Sequence, residues 1–185
     1  GRILFRSPVA SVDRDLNPVF VRVTYEVDQG GEAFWVAGVD AQVKLTDRIA
    51  IGGSYVRDEN PQEPFTLAGA TAVAKLGEGT FVIGEVARTE RGAEGVTGDA
   101  ARLEVKHDSK DLKANAFVAR SDREFNNPGA WLTTGRSESG GRAEYRVREG
   151  TMVRAEALRT GDLASGSVRD GALAAVTQEV GRNLT

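Results

Sequence analysis

Apolar and polar side chains alternate with a period of two through most of this 185-residue chain. In the run FWVAGVDAQVKL (34–45), every second residue from Trp35 to Leu45 is apolar, and the residues between them are mostly glycine or polar. A β-strand places successive side chains on opposite faces, whereas a helix needs apolar residues three or four positions apart. The pattern therefore predicts strands with one apolar face and one polar face.

Eleven runs favour strands, and segments rich in glycine, aspartate and proline separate many of them. We predict strands at residues 3–12, 19–28, 34–46, 48–57, 65–76, 80–89, 100–107, 112–121, 141–149, 151–159 and 171–180. No segment longer than eight residues shows helical spacing, so the predicted fold class is all-β.

The connections between these strands are alternately short and long. Short connections lie at 46–47, 77–79, 108–111 and 149–150, and long ones at 58–64, 90–99, 122–140 and 160–170. In an antiparallel meander, every second connection lies at the same end of the sheet. We therefore expect residues 1–185 to form a single domain, an up-and-down meander of about 11–12 strands with tight turns at one end and long loops at the other.

Composition argues against several classes of function. The chain has no cysteine and one histidine, His107, which leaves no thiolate metal site and no set of partners for a catalytic histidine. A near balance of 24 basic and 27 acidic residues gives no basic stripe for nucleic acid. The start of a calcium loop at Asp13–Asn17 is followed by Pro18 where glycine is needed. We expect no enzyme activity, no cofactor and no metal site.

The two faces of the predicted strands differ in a way that favours a membrane. The apolar face is mainly valine and alanine, which suits contact with lipid better than a core that needs bulky interlocking side chains. The opposite face carries charges of both signs, which need water or one another. The charged residues expected to line an interior are Arg22, Glu26, Glu85, Arg88, Glu104, Lys106, Arg142, Glu144, Arg146, Arg154 and Glu156.

The longest predicted loop, 122–140, carries the apolar residues Phe125 and Trp131. Apolar side chains on a long loop can form a contact tip outside a barrel, and such a loop can also fold inward as a plug. Both arrangements remain open at this point, as does a loop without fixed structure.

Three runs, VFVRVTYEVD (19–28), FWVAGVDAQVKL (34–45) and GGRAEYRVRE (140–149), together with the alternating turns, resemble those of bacterial outer-membrane β-barrel proteins. The resemblance extends loosely to the barrel regions of large bacterial surface proteins. It implies a Gram-negative outer membrane, a lipid bilayer as partner, and a role as a porin-like pore, a transporter wall or a membrane anchor. The odd strand count favours a segment of a longer barrel, whose other segments would be further partners.

A soluble extracellular or periplasmic β-sandwich or β-meander without catalytic activity is the alternative. An aromatic content of 6% and a mean hydropathy of −0.32 favour such a binding module. It requires the apolar face to be covered by protein.

Overall fold

The computed structural model describes residues 33–127 and 134–179, which form one antiparallel sheet of nine strands. The strands are β1 (Val36–Thr46), β2 (Ile49–Asp58), β3 (Phe65–Gly77), β4 (Thr80–Arg91), β5 (Val96–Asp108), β6 (Leu112–Ser121), β7 (Arg136–Arg148), β8 (Thr151–Asp162) and β9 (Val168–Gln178). They lie side by side in chain order, so the predicted all-β up-and-down meander is confirmed. Within the described residues the sheet is not closed, and β1 and β9 are its edges. The predicted strands at 3–12 and 19–28 lie outside the described residues.

The predicted alternation of short and long connections is also confirmed. At one end, two residues separate β1 from β2, β3 from β4 and β7 from β8, and three separate β5 from β6. Residues 59–64, 92–95, 122–135 and 163–167 form the connections at the other end, called here the long-loop end.

Three strands begin earlier than predicted, all at the long-loop end. β5 begins at Val96, β7 at Arg136 and β9 at Val168, instead of at 100, 141 and 171. These added residues continue the ladder with the neighbouring strand, as Gly98 does opposite Thr89. Backbone hydrogen bonds extend a strand without requiring alternating side chains, so the alternation pattern does not reveal these first residues of the strands.

The register defines two faces of the sheet. One row across the apolar face runs through Val43, Ile51, Ala72, Gly84, Leu103, Val118, Ser139, Arg159 and Asp170. One row across the charged face runs through Lys75, Phe81, Lys106, Asn115, Arg142, Glu156 and Leu173.

Each strand contacts only its neighbours in the chain, so no second sheet of described residues covers either face. The apolar face is open: Val39, Val118 and Val176 are 62%, 55% and 71% exposed. The buried strand residues all lie on the charged face, namely Ala50, Leu67, Val73, Phe81, Ile83, Thr89, Gly98, Glu104, Ala119, Ser121 and Glu138. This distribution is the reverse of the one found in a water-soluble sheet.

No helix among the described residues is long and apolar enough to cross a membrane.

Candidate functional site: the charged face

A buried carboxylate lies at the centre of the charged face. Glu104 on β5 is only 7% exposed and is paired with Arg102 at 3.0 Å and Lys106 at 3.5 Å. The side-chain amide of Asn115 on β6 donates to the same carboxylate at 3.4 Å. The Arg102 guanidinium lies over the Phe117 ring, 4.4 Å from its centroid. Cations and an amide donor together offset the cost of removing this carboxylate from water.

A second ionic cluster lies on β7 and β8, nearer the tight turns. Glu144 pairs with Arg142 on its own strand and lies 4.0 Å from Arg154 on β8. Arg154 also pairs with Glu156 at 2.8 Å. These side chains are partly exposed, so each pair adds little stability by itself. Together they form a polar surface in which positive and negative groups neutralise one another.

On the charged face, the closest pairs join residues two positions apart on one strand, because alternate residues share a face. The register then places polar side chains of neighbouring strands side by side, as it does for Lys106, Asn115 and Arg142. From the sequence we predicted ion pairs between neighbouring strands, but not these ion pairs between residues of the same strand. The sequence pattern also missed the pair Arg136–Glu138, 2.7 Å apart with Glu138 buried, because residues 122–140 were expected to be loop.

The structure places most of the predicted interior residues on one face. Glu85 and Arg146 lie on the charged face with the two clusters just described. Arg22 and Glu26 lie outside the described residues.

Arg88 is predicted to line the interior with Glu85, but the structure places it on the opposite face. It stands in register with Ala68 and Asp99 and is two positions from Val86, and so lies on the apolar face. Glu85 and Arg88 are three positions apart, which puts them on opposite faces of a strand. The error arose because the run 80–89 has small or apolar residues on both faces.

The segment of residues 122–127 folds over the long-loop end of the charged face. Phe125 is only 2% exposed, so its ring is not an exposed loop tip. A Cβ atom added at Gly98 would overlap the backbone of Glu124 and Phe125, which shows how closely the segment approaches β5. The Asn126 amide donates to the Thr89 hydroxyl oxygen at 3.3 Å. Residues 122–127 thus lie against the charged face, while Trp131 lies outside the described residues.

A carboxylate at the long-loop end is held by its turn. Asp162 accepts hydrogen bonds from the Ser165 amide at 2.7 Å, the Ser165 hydroxyl at 3.0 Å and the Ala164 amide at 2.9 Å. These donors, those of Ser165 first, lower the pKa of Asp162 because they favour the charged carboxylate.

No protein-family model and no curated protein matches this sequence. Among the described residues, no cluster of three or more histidine, cysteine or acidic side chains is arranged to hold a metal ion. The two ionic clusters pair each acid with a cation.

Proposed function

We propose that this chain is a segment of the wall of a β-barrel in the outer membrane of a Gram-negative bacterium. Its apolar face contacts lipid, and its charged face lines the interior of the barrel. The segment forms part of a pore or transporter wall, or of the membrane anchor of a larger surface protein.

The observation that supports this proposal most strongly is the inverted distribution of burial. Large apolar side chains such as Val86 and Leu103 are exposed on one face, while Glu104 and Glu138 are buried on the other. In water the exposed apolar face carries an unfavourable free energy of about 25 cal/mol per Å². Hydrocarbon removes that cost, and an enclosed interior supplies the partners that the charges need.

The side chains and the segment that cover the charged face favour a membrane anchor, or a barrel with a narrow interior, over a wide channel. The ionic clusters, the Phe117 ring and the segment 122–127 all occupy the side that would face the interior. A wide aqueous pore needs a lining that leaves its lumen open to water.

A labelling experiment tests which face contacts lipid. Because the chain has no cysteine, single cysteines at Val86 and Glu85, neighbours on β4 with opposite faces, can each carry a bimane label. We expect nitroxide-labelled lipids to quench the label of Val86→Cys in reconstituted vesicles and to leave that of Glu85→Cys largely unquenched.

Two results would contradict the proposal. One is equal quenching at both positions in vesicles. The other is a monodisperse chain in plain buffer that does not enter vesicles, which would support the soluble β-sandwich or β-meander binding module instead.

A further inference from the structure

The apolar face carries a band of apolar residues with a polar residue at each end of the strand. On four strands the two polar residues are eight positions apart. The pairs are Thr80 and Arg88 on β4, Asp99 and His107 on β5, Thr151 and Arg159 on β8, and Asp170 and Gln178 on β9. Between them this face carries only valine, leucine, alanine and glycine. Eight positions correspond to about 26 Å of strand.

The two borders of the band differ in chemistry. At the long-loop end the border residues of neighbouring strands form ion pairs, Arg88 with Asp99 at 2.7 Å and Arg159 with Asp170 at 3.5 Å. At the tight-turn end they are joined by hydrogen bonds instead. Thr80 and His107 lie 2.8 Å apart, and the Thr151 hydroxyl donates to Gln178 at 2.6 Å.

The band crosses the sheet obliquely. Leu103 lies in the middle of the band on β5, yet its register row leads through Val118 and Ser139 to the border pair Arg159–Asp170. On β5 the long-loop border is at Asp99, whereas on β9 it is at Asp170, which is in register with Leu103. The border is therefore displaced along the strands by four residues between β5 and β9, which are four strands apart. The tight-turn border moves by the same amount, so the band keeps its width.

This displacement gives the tilt of the strands relative to the band. One residue per strand, with a rise of ~3.3 Å and a strand spacing of ~4.8 Å, corresponds to a tilt of about 35°. Measured perpendicular to its two borders, the band is about 22 Å wide, because the 26 Å of strand is tilted by about 35°. Both values are close to those of outer-membrane barrels, which have tilts of about 35–45° and an apolar belt of about 25 Å.

Arginines follow the long-loop border. Each even-numbered strand carries one at this end of the apolar face, and we call Arg57, Arg88, Arg120 and Arg159 the arginine collar. Arg57 is in register with Glu90, two residues beyond Arg88, and Arg120 is in register with Ala101, two residues closer to the tight turns than Asp99. The collar is therefore displaced by two residues over every two strands, as the band is.

The collar is accessible from outside the sheet. Its four side chains are exposed. Three pair with acids that are themselves exposed, Arg88 with both carboxylate oxygens of Asp99, and at such exposed positions water competes for the same groups. Below Arg88 and Arg120, the face forms a shallow depression lined by Ala68, Ala70 and Ala101. A guanidinium matches the geometry of a phosphate, and small side chains leave room for an acyl chain beside it.

We propose that the oblique band binds a phospholipid bilayer and that the arginine collar binds the phosphates of lipid head groups at the long-loop border. This inference rests on the proposed function and adds the position, the tilt and the head-group chemistry of the lipid contact.

Depth measurements test the oblique band. Bimane labels at Leu103→Cys, Ala174→Cys and Asp170→Cys are compared in vesicles of the full chain, with nitroxides placed deep or shallow in the lipid. Leu103 and Ala174 lie in different register rows but both at the centre of the band. We expect the deep nitroxide to quench the labels at these two positions equally strongly. At Asp170 the ratio of quenching by the deep nitroxide to quenching by the shallow one should be about twofold or more lower.

Two other results are informative. Equal ratios at Leu103 and Asp170, which share a register row, would overturn the oblique band and leave the proposed function standing. No quenching at any of the three positions would overturn both.

A lipid preference tests the collar. The variant Arg57→Gln/Arg120→Gln is compared with Lys113→Gln/Arg146→Gln, which loses the same charge from the charged face. Insertion is measured in vesicles of phosphatidylglycerol and in vesicles of an uncharged glycolipid. We expect the preference for the phospholipid to fall about threefold or more in the collar variant only.

An unchanged preference in the collar variant would overturn the collar as a phosphate-binding site. Loss of the preference in the presence of inorganic phosphate alone would show a site for free anions instead of lipid head groups, and would overturn it as well.

Discussion

At the scale of single residues, the charged face depends on close approaches that few side chains allow. Gly98 permits the segment 122–127 to lie against β5, and Phe125 is buried as a result. Glu104 is buried because Arg102, Lys106 and Asn115 surround its carboxylate.

We predict that Gly98→Ala displaces the segment 122–127, because the added methyl group would overlap its backbone. The free energy of unfolding should fall by about 1–3 kcal/mol, and protease sensitivity after Arg123 should rise. Gly84→Ala on β4 is the matched control, since a Cβ atom there meets no atom within 4 Å. Equal effects of the two substitutions would contradict the packing role of Gly98.

We predict that Glu104→Gln lowers the free energy of unfolding by about 1–3 kcal/mol, because Arg102 and Lys106 lose their shared buried carboxylate. Glu94→Gln in the exposed turn at 92–95 should change it by less than about 0.5 kcal/mol. Urea titration followed by circular dichroism measures both, and equal stability of the two variants would argue against the Glu104 cluster.

At the scale of elements, the hairpins are set by turns with definite backbone requirements. The β3–β4 turn contains Gly79 with φ of +69°, and the β7–β8 turn contains Gly150 with φ of +74°. Positive φ is strained for residues that carry a Cβ atom. The tight turns therefore help to determine the order in which the strands pair.

We predict that Gly79→Ala is strongly destabilising, since a Cβ atom there would overlap the Asp108 carbonyl in addition to the strained φ. A loss of about 1–3 kcal/mol is expected. Gly77→Ala, two residues earlier in the same hairpin, meets no atom within 4 Å and should be nearly neutral. Thermal unfolding of the two variants tests the difference, and similar midpoints would contradict it.

We predict that the hydrogen bonds of Asp162 in the β8–β9 turn make the stability of the fold depend on pH. Because the pKa of Asp162 is lowered in the folded state, its carboxylate stabilises the fold above the ordinary aspartate pKa of about 3.9. That contribution is lost as the pH falls through the lower pKa of the folded state. Asp162→Asn should flatten this part of the stability profile, and Ser165→Ala, which removes a hydroxyl donor, should flatten it partly. A profile unchanged by both variants would contradict the role of the turn.

At the scale of the whole molecule, the sheet has two unlike faces and two open edges. Every described residue of β9, and all but one of β1, is exposed. The buried strand residues lie on β2 to β7, where strands continue on both sides. Added strands at either edge would give β1 and β9 backbone partners.

We predict that Leu103→Arg, in the middle of the apolar band, lowers the stability of the chain folded in a bilayer by about 2–4 kcal/mol. The charge would lie in hydrocarbon without a partner. Thr97→Arg lies on the same face and strand but beyond the Asp99 border, and should cost at most about 1 kcal/mol. Urea titration of vesicle-folded protein measures both, and equal costs would place Leu103 outside the membrane.

The sequence by itself determined the all-β class, the strand order and the alternation of turn lengths, and in runs such as 34–46 and 112–121 it also separated the two faces. These features are local, since period-two alternation and turn residues act on neighbours in the chain. The tertiary structure alone decided the register, and with it the oblique band, the burial of Glu104 and the early start of β7. It also decided that Phe125 lies against β5. Register and loop packing depend on hydrogen bonds and contacts between segments far apart in the chain, which the alternation within one strand does not encode.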